Sequence, residues 1–97
     1  MLLTLEYTQD MGYSRVEFDR QIQRVLPAEN IHLRPDGAVL YIGTGQLHID
    51  LGPEQERRIA NIRLPRMQVR FRFYDLHEPE LSAFRTKFDL YFQKGGG

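Results

Sequence analysis

The stretch Met67-Gln68-Val69-Arg70-Phe71-Arg72-Phe73-Tyr74 decides how this chain folds. Apolar and polar side chains alternate strictly along it, which is the two-residue period of a β-strand with one covered face. The odd-numbered positions are all apolar and predict the covered side, and the even-numbered positions predict the other side. The stretch therefore predicts a sheet with two unlike faces.

A helical stripe that can cover the apolar face follows this strand. Pro79-Glu80 suits a helix start, because proline is tolerated in the first turn and the helix dipole favours an acidic side chain there. The later apolar residues recur mostly at spacings of three and four, as on one side of an amphipathic helix. They are Leu81, Phe84, Phe88, Tyr91 and Phe92. Gly95 suits the C-terminal cap.

A strand is also predicted at the start of the chain, over Leu3–Tyr7. Its alternation places Leu3, Leu5 and Tyr7 on one side, which we expect to be the covered side. Gly12 then permits a turn.

The first helix is predicted from a capping box. Ser14 and Glu17 stand three residues apart, so the serine hydroxyl can accept from the glutamate amide while the glutamate carboxylate accepts from the serine amide. Pro27 ends the helix because it cannot continue the hydrogen-bond ladder. The residues predicted to be buried are Phe18, Ile22, Val25 and Leu26.

Three short strands are predicted next: Ile31–Leu33, then Ala38–Ile42 and Gln46–Leu51 as a hairpin, with a turn at Arg34–Gly37 between the first two. A hairpin turn at Thr44-Gly45 matches apolar residues with one another on the covered face. The matched pairs are Ile42 with Leu47, Leu40 with Ile49, and Ala38 with Leu51. On the other face the pairs are Tyr41 with His48 and Val39 with Asp50. A three-residue loop would instead bury Tyr41 and Val39, and we favour the first register because it pairs more apolar groups.

Residues 52–65 fit two structures. Gly52-Pro53-Glu54 is typical of a helix start, and Ile59 and Ile62 fit one helical turn. Ile62 and Leu64 fit a strand equally well, which Pro65 would confine to an edge. We expect a short turn of helix followed by an extended segment.

The order β-α-β-β-β-(short helix or turn)-β-α predicts an α+β two-layer sandwich. Strands with one polar face favour an antiparallel sheet of four to five strands, with both helices on one face. We expect residues 1–94 to form one domain and residues 95–97 to form a flexible glycine tail.

Composition narrows the classes of function. The 97 residues carry 13 basic and 13 acidic side chains, so no net charge attracts nucleic acid or a membrane. The chain has no cysteine, which excludes disulfides and thiolate chemistry. The first residues resemble neither a signal peptide nor a membrane span. We therefore predict a cytoplasmic protein without a membrane partner.

Motifs for enzymes and cofactors are weak. Gly43-Thr44-Gly45 lies in a predicted hairpin, whereas a phosphate-binding loop precedes a helix. Ser14 is explained by capping, and Ser82 has no nucleophile motif around it. The three histidines lack metal-ligand spacing. We predict no catalytic residue, no metal and no cofactor, although His48 and Asp50 share a face two positions apart.

Arginines concentrate in residues 57–72, which contain no acid. Arg70 and Arg72 occupy even positions and so lie on the uncovered side of the sheet, which we call the open face. The binding surface predicted on the open face consists of Tyr41, His48, Asp50, Arg70, Arg72 and Tyr74. Anion contacts are predicted at Arg57, Arg58, Arg63 and Arg66.

Three functions fit this surface. The one we expect is a non-catalytic protein-interaction domain, with a protein partner or a second copy bound through the open face or an edge strand, since tyrosine and arginine are enriched at interfaces. The second is single-stranded nucleic-acid binding, in which aromatic side chains stack on bases, although the zero net charge counts against it. The third is a small enzyme or ligand-binding protein with its site near His48 and Asp50.

Overall fold

Six β-strands and two α-helices make up residues 1–93, the part of the chain that this computed structural model describes. The strands are β1 (Leu3–Met11), β2 (Ile31–Arg34), β3 (Gly37–Ile42), β4 (Gly45–Leu51), β5 (Gln55–Ile59) and β6 (Ile62–Tyr74). The helices are α1 (Arg15–Ile22) and α2 (Glu80–Tyr91), and one 3-10 turn covers Ala28–Asn30. The predicted α+β class is confirmed, but the strand count of four to five is wrong.

All strand pairs are antiparallel, as predicted. The sheet has the order β1-β6-β4-β3-β2, and β5 pairs with β6 outside this path. The long strand β6 therefore has two parts. Residues 67–74 lie in the middle of the sheet beside β1 and β4, whereas residues 62–66 pair with β5.

The two faces of the sheet differ as the alternation of residues 67–74 predicts. Phe71 and Phe73 are buried against α2, where their ring centroids lie 5.3 Å from Phe88 and 6.0 Å from Phe84. Helix α1 joins the same core through Phe18, whose ring lies 4.9 Å from that of Phe92. Burying each large apolar side chain contributes about 1.5–3 kcal/mol before the entropy cost, so this aromatic layer fixes both helices on one face.

Helix α1 begins where it was predicted to begin, but it ends earlier than predicted. Both bonds of the capping box are present between Ser14 and Glu17. The helix ends at Ile22 and not at Pro27, because the amide of Val25 donates to the carbonyl of Ile22, a bond that tightens the chain into a turn. Val25 is nevertheless fully buried, as its place in the apolar pattern predicts.

A bulge near the start of β1 overturns one predicted position. Leu3 lies opposite Tyr74 and Leu5 lies opposite Phe73, so Thr4 is an extra residue in β1. The Thr4 hydroxyl donates to the Phe73 carbonyl at 3.2 Å. Leu3 is consequently on the open face and 45% exposed, and the prediction that it shares a side with Leu5 is wrong.

The β3–β4 hairpin has the predicted covered face and a different register. Its turn residues are Gly43 and Thr44, so Thr44-Gly45 as the turn is wrong. Gly43 has φ of 56°, a conformation that glycine adopts readily, and a Cβ on Gly45 would lie 2.5 Å from the Tyr74 carbonyl oxygen. The pairs are Leu40 with Leu47, Ala38 with Ile49, Tyr41 with Gln46, and Val39 with His48.

Residues 52–65 contain no helix, which corrects the expectation of a helical turn there. β5 and the start of β6 form a second hairpin around Ala60 and Asn61, with Ile59 opposite Ile62. Ala60 has φ of 55°, which closes the turn. The predicted cap at Gly95 and the glycine tail lie outside the described residues.

No helix within residues 1–93 is long and apolar enough to cross a bilayer.

Candidate functional site

The second hairpin projects from the sheet as an arm, which we define as residues 55–66. Every residue from Gln55 to Leu64 is exposed, and Pro65 and Arg66 are half-buried at the base. The base is also where β1 and β4 end beside β6, at the pairs Met11 with Met67 and Leu51 with Val69. The molecule is elongated, with extents of 46 × 27 × 24 Å.

One face of the arm carries exposed aliphatic side chains. Because cross-strand partners share a face, Ile59, Ile62 and Leu64 lie on the same side. Their exposed fractions are 49%, 58% and 42%, which are high for large apolar groups grouped on one small element. Arg57 is paired with Leu64 on this side, so the apolar residues and a cation adjoin.

The arm is also basic. It contains four arginines and one glutamate, a local net charge of +3 in a chain whose total is zero. Arg63 approaches Glu56 at 3.6 Å, and Arg66 at the base donates two hydrogen bonds, of 2.7 and 3.3 Å, to the Asp10 carboxylate. Within residues 1–93 no carboxylate forms an ion pair with Arg57 or Arg58.

Two arginines of the open face, Arg70 and Arg72, are in contrast engaged by acids. Arg72 donates to the Asp50 carboxylate at 2.8 Å and to the Tyr74 hydroxyl at 3.3 Å. Burial lowers the pKa of Arg72, but the charge and hydrogen bond of Asp50 outweigh it and the net pKa is raised. Arg70 donates to Glu6 on β1. The charges of Arg70 and Arg72 are therefore neutralised by carboxylates within the open face.

His48 lies on the same face. Its Nε2 is 2.9 Å from Gln46 Oε1, and its ring lies edge-on to Tyr74 with centroids 4.9 Å apart. Burial lowers the pKa of His48, and the nearby charges of Arg72 and Arg34 lower it further, against a smaller opposing effect of Asp50. The lowered pKa favours the uncharged imidazole.

The structure brings the predicted open-face residues together. Cross-strand rows run from Tyr41 through Gln46 to Tyr74, from Val39 through His48 to Arg72, and from Gly37 through Asp50 to Arg70. Tyr41 is 44% exposed, whereas His48, Asp50, Arg72 and Tyr74 are half-buried. The four predicted anion contacts, Arg57, Arg58, Arg63 and Arg66, lie apart from these residues, on the arm.

Two cavities border these surfaces. A depression of about 270 Å³ on the open face is lined by Asp50, Arg70 and their neighbours, and His48 does not line it. A larger groove of about 780 Å³ runs between the arm base and the end of α2, where Leu64, Pro65, Phe88 and Phe92 line it. The pattern of α2 indicates that Phe92 faces the core, but nothing in the sequence alone places Pro65 beside it.

Metal-ligand geometry is absent from the described region: residues 1–93 hold no group of three histidine or acidic side chains close enough to share an ion.

No known protein family, no curated protein and no solved structure matches this chain.

Proposed function

We propose that this chain is a non-catalytic protein-interaction domain that self-associates into a homodimer through its arm. The observation that carries the proposal is the exposure of Ile59, Ile62 and Leu64 on one side of a ribbon that projects from the sheet. An exposed edge strand offers unpaired backbone groups for pairing with another chain, and β5 is such an edge.

Burial supplies the driving force. Fully burying a large aliphatic side chain contributes about 1.5–3 kcal/mol, and because Ile59, Ile62 and Leu64 are about half exposed, each contributes roughly half of that when the interface covers it. A two-fold interface covers each of them twice. A two-stranded ribbon is marginally stable by itself, so contact with a second copy would also order the arm. A contact between two copies needs no other component. Because the total charge of the chain is zero, no net charge repulsion opposes the contact.

The open face has a smaller role than the arm in the proposed interface. The guanidinium groups of Arg70 and Arg72 are bound by Glu6 and Asp50, so a partner gains little from them without breaking existing ion pairs. Tyr41 is the more accessible anchor on this face. We place the open face at the periphery of the interface and the arm at its centre.

The test is the molar mass in solution, measured by sedimentation equilibrium from low to high micromolar concentration. We expect a dimer for the unaltered chain and a monomer for the double variant Ile59→Ser/Ile62→Ser. Val16→Ser is the matched control, because Val16 is 66% exposed and lies on α1. A monomer for the unaltered chain at every concentration, or a dimer that survives the double substitution, would contradict the proposal.

Single-stranded nucleic-acid binding is the second candidate, and the four arginines of the arm favour it. Arginine contacts phosphates, so the affinity would fall steeply with salt. NMR titration with short RNA and DNA homopolymers at low salt tests it. Shifts at the arm that vanish in Arg57→Gln/Arg58→Gln would support this candidate, and unchanged spectra would remove it.

A catalytic site at His48 and Asp50 is not part of the proposal. The Asp50 carboxylate is already held by Arg72, and the depression beside it lacks His48. A cytoplasmic location is part of the proposal, since a small chain without cysteine gains nothing from an oxidising compartment.

A further inference from the structure

The groove between the arm base and α2 is an apolar recess that two acidic residues help to line. Phe88 and Phe92 line it from α2 and its C-terminal end, and Leu64 and Pro65 line it from the arm. The charged residues that line it are Asp10 and Asp89, and both are acidic. Asp10 is bound by Arg66, whereas no basic side chain among residues 1–93 forms an ion pair with Asp89.

The tip of the arm has the complementary chemistry. Ile59 and Ile62 lie opposite one another beside the turn, and both are about half exposed. Arg57 and Arg58 stand next to them without an acidic partner in the described chain. An apolar tip flanked by cations matches an apolar recess flanked by carboxylates in both hydrophobicity and charge.

The tip cannot reach the groove of its own chain. Leu64 and Pro65, which line the groove, belong to the same ribbon, and the strand carries Ile62 two residues beyond Leu64, about 7 Å away at about 3.3 Å per residue. A second copy has no such restriction. When two arms lie antiparallel across a two-fold axis, the tip of each arrives at the base of the other.

We propose that the groove receives the arm tip, Ile59 to Ile62, of a second copy of this chain, and that Asp89 pairs with Arg57 or Arg58 of that copy. This inference rests on the proposed function and adds the receiving site. It makes the interface reciprocal, because each chain supplies one tip and one groove.

Disulfide trapping tests the site directly, since the chain has no cysteine of its own. Asn61→Cys places a thiol in the turn of the arm, and Gln93→Cys places one on the lining of the groove. We expect a covalent heterodimer when the two single variants are mixed and mildly oxidised. Thr44→Cys replaces Gln93→Cys in the control, because Thr44 is an exposed turn residue of the other hairpin, and we expect little product.

Charge reversal gives a second measurement that needs no cross-link. Asp89→Arg is at an exposed position, so it leaves the fold intact, and we expect it to raise the dissociation constant of the dimer at least about fivefold. Arg57→Glu/Arg58→Glu in the partner should restore much of the lost affinity, which a merely structural effect of Asp89 would not allow.

The outcomes separate the two proposals. A dimer that forms without the Asn61–Gln93 cross-link and tolerates Asp89→Arg would overturn the groove as receiving site while leaving self-association in place. A monomer at all concentrations would overturn both. A monomer whose arm responds to an oligonucleotide would overturn both in favour of nucleic-acid binding.

Discussion

Arg72 on β6 reaches diagonally across the sheet to Asp50 on β4, with its Nη2 2.8 Å from the carboxylate. Asp50 lies directly opposite Arg70, and Arg72 lies opposite His48, so the ion pair connects two adjacent rows of the open face. The Nε of Arg72 is buried and has no hydrogen-bond partner within residues 1–93. The guanidinium is therefore held mainly by its two Nη contacts.

A double-mutant cycle should detect this pair. We expect Asp50→Asn and Arg72→Gln to couple by about 0.5–1 kcal/mol in the free energy of unfolding, which is the upper part of the range for partly exposed ion pairs. The side chains of Arg70 and Glu6 are 52% and 35% exposed, against 26% and 43% for Arg72 and Asp50, so the matching cycle there should couple more weakly. Urea denaturation of the four variants of each cycle measures both. Equal coupling in the two pairs would contradict this ranking.

Gly45 should tolerate no side chain. A Cβ there would lie 2.5 Å from the Tyr74 carbonyl oxygen and 2.6 Å from Leu76 Cγ, so Gly45→Ala forces the end of β6 away from β4. We expect a loss of about 1–3 kcal/mol, the usual cost of overpacking. Gly12→Ala is the control, since the closest atom to its Cβ would be at an ordinary 3.8 Å. Thermal unfolding that ranks Gly12→Ala as the more damaging change would show that this packing is wrong.

His48 should make the fold sensitive to mild acid. Its pKa is lowered by burial first and then by Arg72 and Arg34, so the folded protein binds this proton less readily than the unfolded chain. Above the unfolded pKa of about 6.5 both states are neutral and the group has no effect. As the pH falls below that value, the unfolded state gains the proton first and the folded state is destabilised relative to it.

The variant His48→Gln removes this titration and keeps a neutral polar side chain. We expect the unfolding free energy of the unaltered chain to decrease more steeply than that of the variant between about pH 7 and pH 5. Urea denaturation at a series of pH values measures the difference. Parallel curves would mean that His48 titrates alike in both states.

The sequence was sufficient to predict the layers of the fold and insufficient for the contacts between distant strands. The alternation at Phe71 and Phe73 and the capping box at Ser14 are local patterns with one physical solution each, and both are confirmed. The observed hairpin register places Gly45 beside the carbonyl of Tyr74, a residue far away in the chain, where a Cβ would lie 2.5 Å from the oxygen. The bulge at Thr4 is likewise satisfied by the carbonyl of Phe73.

In the candidate site, too, the local pattern could be predicted and the contacts between strands could not. The alternation of side chains along β6 places Arg70 and Arg72 on the open face. It does not show that Glu6 and Asp50 bind them, because those contacts depend on the register of β1 and β4 against β6. The arm was missed because Ile59 and Ile62 fit a helical turn as well as a hairpin. An apolar pattern usually faces a core, whereas here it is exposed on a ribbon that no other element covers within residues 1–93.

Strand β6 should exchange its amide hydrogens at two different rates. Residues 67–74 lie within the sheet over a buried aromatic core, so their opening approaches global unfolding, whereas residues 62–66 have β5 as their one strand partner. At low protein concentration we expect the hydrogen-bonded amides of residues 62–66 to exchange at least about 100-fold faster, since an isolated two-stranded ribbon is marginal in water. Hydrogen exchange followed by NMR measures this difference in rate along one strand.

Raising the protein concentration should protect the amides of the arm selectively if a second copy covers it. Equal protection of both parts of β6 in dilute solution would mean that the arm is stable by itself, and the ordering that we attribute to association would then have no role.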